Sequence, residues 1–242
     1  MRPDPGWIDA LPRRRLLAEL SLWSADLGHL AEEVARTEPF ADAYHLDVAD
    51  GHVSPDLLFF PDLVATVRRL TSRPLHVHLM AADAILEAQI RQFVRAGADL
   101  VTVHAESAGA SRALSLLAEL GVPAGLVLQL GTPISAALPH LDRVRWLTLL
   151  GTEIGVKGQG LDPAAEDRLR EASRALAARS GRGGRRAILA ADGAVREHTV
   201  PGLGRAGADA VVMGSLAFEA PDLPARMAWV HAQGREPGSD GR

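Results

Sequence analysis

Eight short apolar segments recur along this chain of 242 residues, and helix-forming segments lie between them. The apolar segments begin about 20–40 residues apart, which is the spacing that strand–helix units require. Because they are continuous apolar runs rather than alternating ones, they are typical of parallel strands covered by helices. The predicted strands span residues 16–23, 43–49, 74–80, 99–104, 123–128, 144–150, 187–191 and 208–213. The predicted helices span residues 27–36, 61–71, 84–96, 110–120, 133–140, 163–179, 195–206 and 224–231.

Two architectures accommodate eight such strands, an open doubly wound sheet and a closed barrel. The phrase Ala-Gly-Ala-Asp occurs at residues 96–99 and again at 206–209, four strands later. Polar residues also collect at the C-terminal ends of several strands, where a (β/α)8 barrel carries its functional residues. Both observations favour closure, so the predicted fold class is α/β, a (β/α)8 TIM barrel with a closed parallel sheet. We expect a single barrel domain at residues 16–232, between an N-terminal extension at 1–15 and a polar tail at 233–242.

The composition narrows the classes of partner and of metal site. At a formal net charge of −4, nothing in the composition indicates a nucleic-acid or polybasic membrane partner. No apolar run is long enough to span a bilayer, and the N-terminus lacks the apolar core of a secretion signal. We therefore expect a cytoplasmic enzyme. The chain has no cysteine, so any metal ion must be bound by histidine, aspartate or glutamate.

The second predicted strand carries a histidine and an aspartate at alternate positions. Because side chains alternate between the two faces of a strand, His45 and Asp47 point the same way. An imidazole beside a carboxylate is a poor choice for an apolar core and a good choice for a divalent cation. Asp50-Gly51 then ends the strand. The pair is therefore interpreted as half of a metal site at the mouth of a barrel.

Other ionisable residues occur near the ends of neighbouring and distant strands. His76 and His78 lie on the third strand, His104 on the fourth, and Asp192 follows the seventh. Residues from different strands converge on the axis of a barrel, so a site with two histidines and two carboxylates suited to zinc, manganese or iron(II) is predicted. His104 and His76 are interpreted as structural residues, with His76 as a candidate neighbour of His78 one layer below it. The predicted metal ligands are His45, Asp47, His78 and Asp192.

Glycine-rich turns follow the last three predicted strands. The segment Gly155–Gly158 follows the sixth strand, Gly193-Ala194 the seventh and Gly214-Ser215 the eighth. Loops after the seventh and eighth strands of such barrels commonly bind phosphate through exposed backbone N–H groups. Lys157 is the single lysine among 26 basic residues, and it lies within the first of these loops. The three turns together predict a phosphate-binding site.

These residues carry a resemblance to a known family, the ribulose-phosphate 3-epimerases, over residues 21–218. The resemblance rests on S-L-W-S-A-D from Ser21, H-L-D-V-A-D-G-H from His45, V-H-L-M from Val77, G-V-K-G-Q, Asp192-Gly193 and Gly214-Ser215. It implies a TIM barrel that binds one divalent metal ion through the four predicted ligands. It also implies a metal-dependent epimerase that inverts carbon 3 of a ketose phosphate of the ribulose 5-phosphate/xylulose 5-phosphate type. We also expect a homo-oligomer.

The resemblance further implies roles for individual residues. Asp47 and Asp192 would act as the two acid/base groups, one on each face of the substrate, through an enediolate that the metal stabilises. A two-aspartate mechanism of this kind accounts for inversion, because proton removal and proton return occur on opposite faces. The predicted substrate-binding residues are Ser21, His78, Met80, Gly155, Val156, Lys157, Gly158, Asp192, Gly193, Ala194, Gly214 and Ser215.

The chain departs from the family pattern at several positions. The family usually has methionine where this chain has Ala49 and Leu150, and aspartate where it has His76. Its usual G-F-G-G-Q loop here contains Val156 and Lys157, and its D-G-G is here D-G-A. We hypothesise that Lys157 adds a direct charge to the phosphate.

These departures leave three alternatives to the leading interpretation. The substrate could be a tetrulose or hexulose phosphate. A phosphosugar aldolase or decarboxylase is a second alternative, although such decarboxylases carry a D-x-K-x-x-D run and the lysine of this chain lies elsewhere. A non-catalytic phosphosugar-binding barrel is a third, and the complete set of four metal ligands argues against it.

Overall fold

The structure, a computed structural model, describes residues 3, 4, 6–156, 158–180 and 186–234. Within these residues eight parallel strands form a closed barrel in chain order, and β1 pairs with β8 to complete it. The predicted fold class is confirmed, and each predicted strand agrees with the observed one to within two residues at either end. The strands are β1 Leu17–Ser21, β2 Ala43–Ala49, β3 Leu75–Met80, β4 Leu100–His104, β5 Ala124–Leu128, β6 Trp146–Leu150, β7 Ile188–Asp192 and β8 Ala210–Met213.

Helices surround the barrel and connect most of its strands. The described α-helices are α1 Trp7–Ala10, α2 Leu30–Thr37, α3 Pro61–Leu70, α4 Leu86–Ala96, α5 Ala110–Glu119, α6 Ala165–Ser180, α7 Val200–Ala206, α8 Ser215–Phe218 and α9 Leu223–Ala232. Between β5 and β6 the connection is a 3-10 helix, Ile134–His140, which contains Pro139. A proline inside a helix lacks the N–H that the regular α-helical ladder needs, which is consistent with the short 3-10 form.

One predicted helix begins later than the sequence indicates. A helix was expected from residue 195, but α7 begins at Val200. The preceding residues form a turn in which Gly193 and Ala194 both have positive φ, at 94° and 51°. The turn continues to Thr199, whose hydroxyl accepts a hydrogen bond from Arg196 N and donates one to Ala194 O, both at 2.8 Å. The regular helix therefore begins only after Thr199.

The repeated Ala-Gly-Ala-Asp phrase forms part of the N-terminal face of the barrel. Its glycines have φ near 115° and 109° and end α4 and α7, a position that favours glycine. Its aspartates precede β4 and β8, and each accepts a hydrogen bond from the backbone N–H of the strand next to it. Asp99 accepts from Leu75 N at 2.9 Å, and Asp209 accepts from Leu189 N at 2.8 Å.

Each of these aspartates also pairs with an arginine. Arg68 donates to Asp99 at 2.6 Å and Arg186 to Asp209 at 2.9 Å. Asp42, which precedes β2, follows the same pattern, because it accepts from the backbone N–H of Ala18 and pairs with Arg15. These contacts join neighbouring strands at the end of the barrel opposite the predicted site.

The N-terminal residues close the same face. Trp7 and Ile8 of α1 are buried against inward side chains at the starts of several strands, including Leu17 and Trp146. The predicted boundary between extension and barrel stays a prediction, although this helix packs on the barrel. Of the predicted tail, residues 235–242 lie outside the described residues. In the described part of the chain, the structure has no helix with the length and apolar character needed to cross a membrane.

Replacing Asp99 with Asn should destabilise the barrel by about 3–5 kcal/mol, because it removes the carboxylate charge that lies 2.6 Å from the nearly buried Arg68 guanidinium. The free energy of unfolding from urea titration measures this. The matched control is Asp142→Asn, which removes the partner of Arg179 at a site where the aspartate is 70% exposed. It should cost less than about 1 kcal/mol. Equal effects of the two substitutions would contradict this account of the N-terminal face.

Candidate functional site

The structure brings the four predicted metal ligands together at the C-terminal end of the barrel. His45 and Asp47 come from β2, His78 from β3 and Asp192 from the end of β7. One ligand atom from each lies within 4.8 Å of the others. Asp47 Oδ1 lies 3.2 Å from His45 Nε2 and 3.1 Å from His78 Nδ1. Asp192 Oδ2 lies 3.7 Å and 3.8 Å from the same two nitrogens.

Strand register accounts for this convergence. Asp47 of β2 and His78 of β3 are direct partners in the parallel pairing, so their side chains share one level of the barrel interior. His45 lies two residues earlier on the same strand face and therefore one level lower. Asp192 comes from β7, which does not pair with β2 or β3, and it reaches the group only because the barrel is closed.

The two carboxyl groups differ in their affinity for protons in the metal-free protein. Burial raises the pKa of Asp47, but the imidazoles of His45 and His78 outweigh burial and hold it well below its usual range. Burial raises the pKa of Asp192 to about 7, and the negative charge of Asp47 adds to that effect. In the metal-free protein, Asp192 therefore binds a proton more readily than Asp47 does. Carboxyl groups whose pKa values are pushed apart are typical of acid/base pairs.

The donor set fits a divalent cation. Bonds of about 2.1 Å to one ion place neighbouring ligand atoms about 3–4 Å apart, and the four separations above fall in that range. Two carboxylates balance the charge of the ion, and imidazole with carboxylate suits zinc, manganese or iron(II). The side chains of the four residues are at most 17% exposed, so the ion would be bound by largely buried ligands.

The second nitrogen of His45 contacts a buried carboxylate that the sequence analysis did not select. His45 Nδ1 lies 2.7 Å from Oε2 of Glu19 on β1. His76, expected as a neighbour of His78, instead places its Nδ1 2.9 Å from the same oxygen and its Nε2 3.0 Å from Thr102 Oγ1. Burial raises the pKa of Glu19, but the two imidazoles outweigh burial and bring it to about 2.

The second nitrogen of His78 contacts His104, which was interpreted as a structural residue. The two Nε2 atoms lie 2.9 Å apart, and His104 Nδ1 lies 3.3 Å from Glu106 Oε2. The other oxygen of Glu106 accepts hydrogen bonds from Gln129 N and Thr132 Oγ1. His104 therefore connects a candidate metal ligand to a carboxylate that the β5–β6 connection holds in place.

A cavity of about 510 Å³ opens above the four side chains. Asp47, His78 and Asp192 form part of its floor, while His45 lies beneath it. Ser21, also in the lining, donates a hydrogen bond to Asp47 Oδ2 at 3.0 Å. The lining includes these predicted substrate-binding residues: Ser21, His78, Met80, Gly155, Val156, Gly158, Asp192, Gly193, Ala194, Gly214 and Ser215. Lys157 lies outside the described residues.

Gly155 and Gly193, in two of the predicted glycine-rich turns, lie where no other residue fits. A Cβ on Gly155 would lie 2.0 Å from Ser54 Oγ, and one on Gly193 would lie 2.4 Å from Thr152 Oγ1. Both residues also have positive φ. The loops after β2, β6 and β7 therefore pack closely around the mouth of the cavity, and the backbone approaches it without side chains in between.

Several residues of the site were missed by sequence reasoning. Trp23 and Arg196 line the cavity, and Glu19 and Glu106 contact histidines beneath and beside it. A signal existed for Glu19, because it is the single charged residue in the apolar run of the first strand. The contacts of Glu106 carried no local signal, since they depend on loops that follow different strands.

Ala194 is the one residue other than glycine with positive φ among those described. Left-handed backbone costs an L-residue about 1–2 kcal/mol, and glycine avoids this at an entropic cost of about 0.4–1 kcal/mol. Ala194→Gly should therefore stabilise the protein by about 0.5–1 kcal/mol in urea unfolding. Ala118→Gly, on the exposed face of α5, should destabilise it by about 0.5–1 kcal/mol. A loss of stability in both variants would refute the assignment of strain to residue 194.

Comparison with known proteins places these features in a family context. Residues 17–218 match the sequence model of the ribulose-phosphate 3 epimerase family. Ribulose-phosphate 3-epimerase 1 of Cupriavidus necator is 37% identical over 204 residues, which cover 84% of each chain. Ribulose-phosphate 3-epimerase of Escherichia coli is 34% identical over 212 residues, which cover 86% of this chain and 92% of the relative.

Solved structures of lower identity share the fold. The structure of 3-hexulose-6-phosphate synthase from Salmonella typhimurium aligns with a TM-score of 0.67 at 14% identity. The alignment covers 90% of this chain and 98% of that one. At this level of identity the likeness supports the barrel fold alone.

Proposed function

The chain belongs to the ribulose-phosphate 3-epimerase family, and from this membership and its site we propose that it inverts carbon 3 of a phosphorylated ketose. Curated relatives with this activity match most of the chain. The proposed substrate is of the ribulose 5-phosphate/xylulose 5-phosphate type. The observation that carries the proposal is the pair Asp47 and Asp192, which reach one cavity from strands that do not pair with each other.

The two carboxyl groups would act as the acid and the base. Inversion requires removal of the proton at carbon 3 from one face of the substrate and delivery of a proton to the other. Asp47, whose carboxylate accepts a hydrogen bond from the Ser21 hydroxyl, and Asp192 face the same cavity from strands that do not pair, so one can accept a proton while the other donates one. In the reverse direction the roles exchange. Each group is expected to contribute about 10²–10⁴ to the rate.

We propose His45, Asp47, His78 and Asp192 as ligands of one divalent cation. When bound, the cation would supply positive charge that stabilises the negative charge developing on the substrate oxygens. The imidazoles of His45 and His78 keep their other nitrogens directed at Glu19 and His104, which limits rotation of both rings. The donor set suits zinc, manganese and iron(II).

The phosphate is proposed to bind at the rim of the cavity. The backbone of Gly193-Ala194 and of Gly214-Ser215 lines it there, next to the loop at Gly155 and Gly158. Glycine-rich backbone can approach an anion closely and donate N–H groups to it. A direct contact from Lys157 remains part of this proposal, as do the homo-oligomer and the cytoplasmic location.

A different phosphorylated ketose is the second candidate substrate. Leu150 and Val156 line the cavity where the family usually has methionine and phenylalanine, so the shape of the wall differs from the family pattern. A tetrulose or hexulose phosphate would be distinguished by comparing kcat/KM for ketose phosphates of four, five and six carbons.

Isotope exchange at carbon 3 tests the proposed chemistry. In deuterated water the protein should incorporate deuterium at carbon 3 of ribulose 5-phosphate and form the epimer. Asp47→Asn and Asp192→Asn should each lower kcat by at least about 10². Asp142→Asn, an exposed substitution of the same chemistry, should not change the rate. Binding without exchange in the wild-type protein would favour a phosphosugar-binding barrel, and cleavage products would favour an aldolase.

Metal removal provides an independent test. Dialysis against a chelator should abolish exchange, and addition of zinc, manganese or iron(II) should restore it, because the cation supplies charge that carboxylates alone cannot. Elemental analysis should find one ion per chain in the restored protein. Full activity in a sample shown to be metal-free would rule out the proposed role of the four ligands.

A further inference from the structure

A buried carboxylate lies one level below the proposed metal site, inside the barrel. Glu19 is 0% exposed, and it is on the inward face of β1 between His45 and His76. Its Oε2 makes both histidine contacts, and its Oε1 has no hydrogen-bond partner among the described residues. A buried carboxylate without compensation is strongly unfavourable, so its retention in the core requires a specific role or specific partners.

The contacts of Glu19 assign the protons on both rings. Oε2 lies 2.7 Å from His45 Nδ1 and 2.9 Å from His76 Nδ1, and one oxygen can accept from both nitrogens but can donate to only one. The simplest assignment places a hydrogen on each Nδ1. With a hydrogen on Nδ1, Nε2 is the atom that faces Asp47 and Asp192, and its lone pair is available to a cation that replaces the Nε2 proton. The Nε2 of His76 accepts from the Thr102 hydroxyl, so each ring nitrogen has a defined partner.

We propose that Glu19 is a positioning residue that keeps His45 in the Nδ1–H form, with its Nε2 lone pair directed at the metal. His76 is the second donor to Glu19 and holds the carboxylate between the two rings. The inference rests on the metal site of the proposed function. Partners of this kind orient a ligand histidine and commonly contribute about 10–100-fold to metal affinity.

A second metal ion at Glu19, His45 and His76 is the competing interpretation, because their ligand atoms also cluster. The two nitrogen–oxygen distances of 2.7 Å and 2.9 Å are hydrogen-bond lengths. They are shorter than the separations of about 3–4 Å expected between ligands of one ion. The cluster is therefore better described as two hydrogen bonds than as a second metal site.

The register of the sheet suggests a substitution that moves the carboxylate to another strand. Position 76 on β3 is the direct partner of position 45 on β2, and the two rings lie 4.8 Å apart. An aspartate at position 76 would therefore lie beside His45 at the same level of the barrel. In Glu19→Ala/His76→Asp, the hydrogen-bond acceptor for His45 would come from β3 in place of β1.

The test measures cobalt(II) binding and the His45 tautomer, neither of which requires substrate or turnover. Calorimetric titration of the metal-free full-length protein should give one cobalt ion per chain. Glu19→Ala should weaken binding about 10–100-fold, and the double variant should recover to within about fivefold of wild type. Long-range ¹H–¹⁵N spectra of the metal-free proteins should show a proton on His45 Nδ1 in the wild type and the double variant. In Glu19→Ala this proton should be lost in part, because Asp47 then favours the form with the proton on Nε2.

Thr102→Val is the matched control, because it removes a buried hydrogen bond to His76 without touching His45. It should leave cobalt affinity within about threefold and the His45 tautomer unchanged. The double variant has alanine at position 19, so the space of the glutamate side chain stays unfilled. If cobalt affinity nevertheless recovers, the loss in Glu19→Ala comes from the missing hydrogen bond to His45 and not from poorer packing. It also provides the comparison with wild type if Glu19→Ala alone fails to fold.

Three results would overturn the proposal: unchanged affinity and tautomer in Glu19→Ala, no recovery in the double variant, or two cobalt ions per wild-type chain. These outcomes are distinct from failure of the proposed function. A protein that exchanges no proton at carbon 3 can still bind cobalt in the Glu19-dependent manner, which would support the positioning role and reject the epimerase activity.

Discussion

The organisation of the barrel interior depends on mutual compensation among buried ionisable groups. Glu19, Asp47 and Asp192 would each be unfavourable alone in a dry core, and four histidines surround them. His45 is central to this arrangement, because it contacts Glu19 with one nitrogen and lies close to Asp47 and Asp192 with the other. The same contacts that make the charges tolerable also set the direction in which the ligand atoms point.

Because side chains alternate along each strand, the barrel interior consists of stacked levels, some apolar and some polar. Trp146 and the residues of α1 fill the N-terminal end with apolar surface, while Asp–Arg pairs on the outside join the strand starts. Glu19 and His76 form a polar level above that core, and Asp47 and His78 form the next one. Glu19 contacts His45, and His45 lies 3.2 Å from Asp47, so the position of Asp47 depends on contacts one level below the cavity.

The loops at the mouth of the cavity are shaped by close packing of their backbones. Gly155 and Gly193 leave no room for a side chain because neighbouring loops approach their backbones closely. Ala194 accepts a left-handed conformation at a position where the family usually has glycine, and its neighbour Arg196 lines the cavity. These loops vary from the family pattern at the proposed phosphate end, whereas the four proposed metal ligands keep it.

The sequence by itself determined the succession of strands and helices and the four candidate ligands, because apolar runs, turn residues and strand alternation are local signals. It also indicated closure through the repeated Ala-Gly-Ala-Asp phrase, whose aspartates join neighbouring strands. Tertiary structure alone decided that Glu19 contacts His45 and His76, that His104 contacts His78, and that α7 begins at Val200. The histidine contacts depend on the stagger between strands in a closed barrel, and the start of α7 depends on the backbone of the turn before it. No local pattern of residues specifies either.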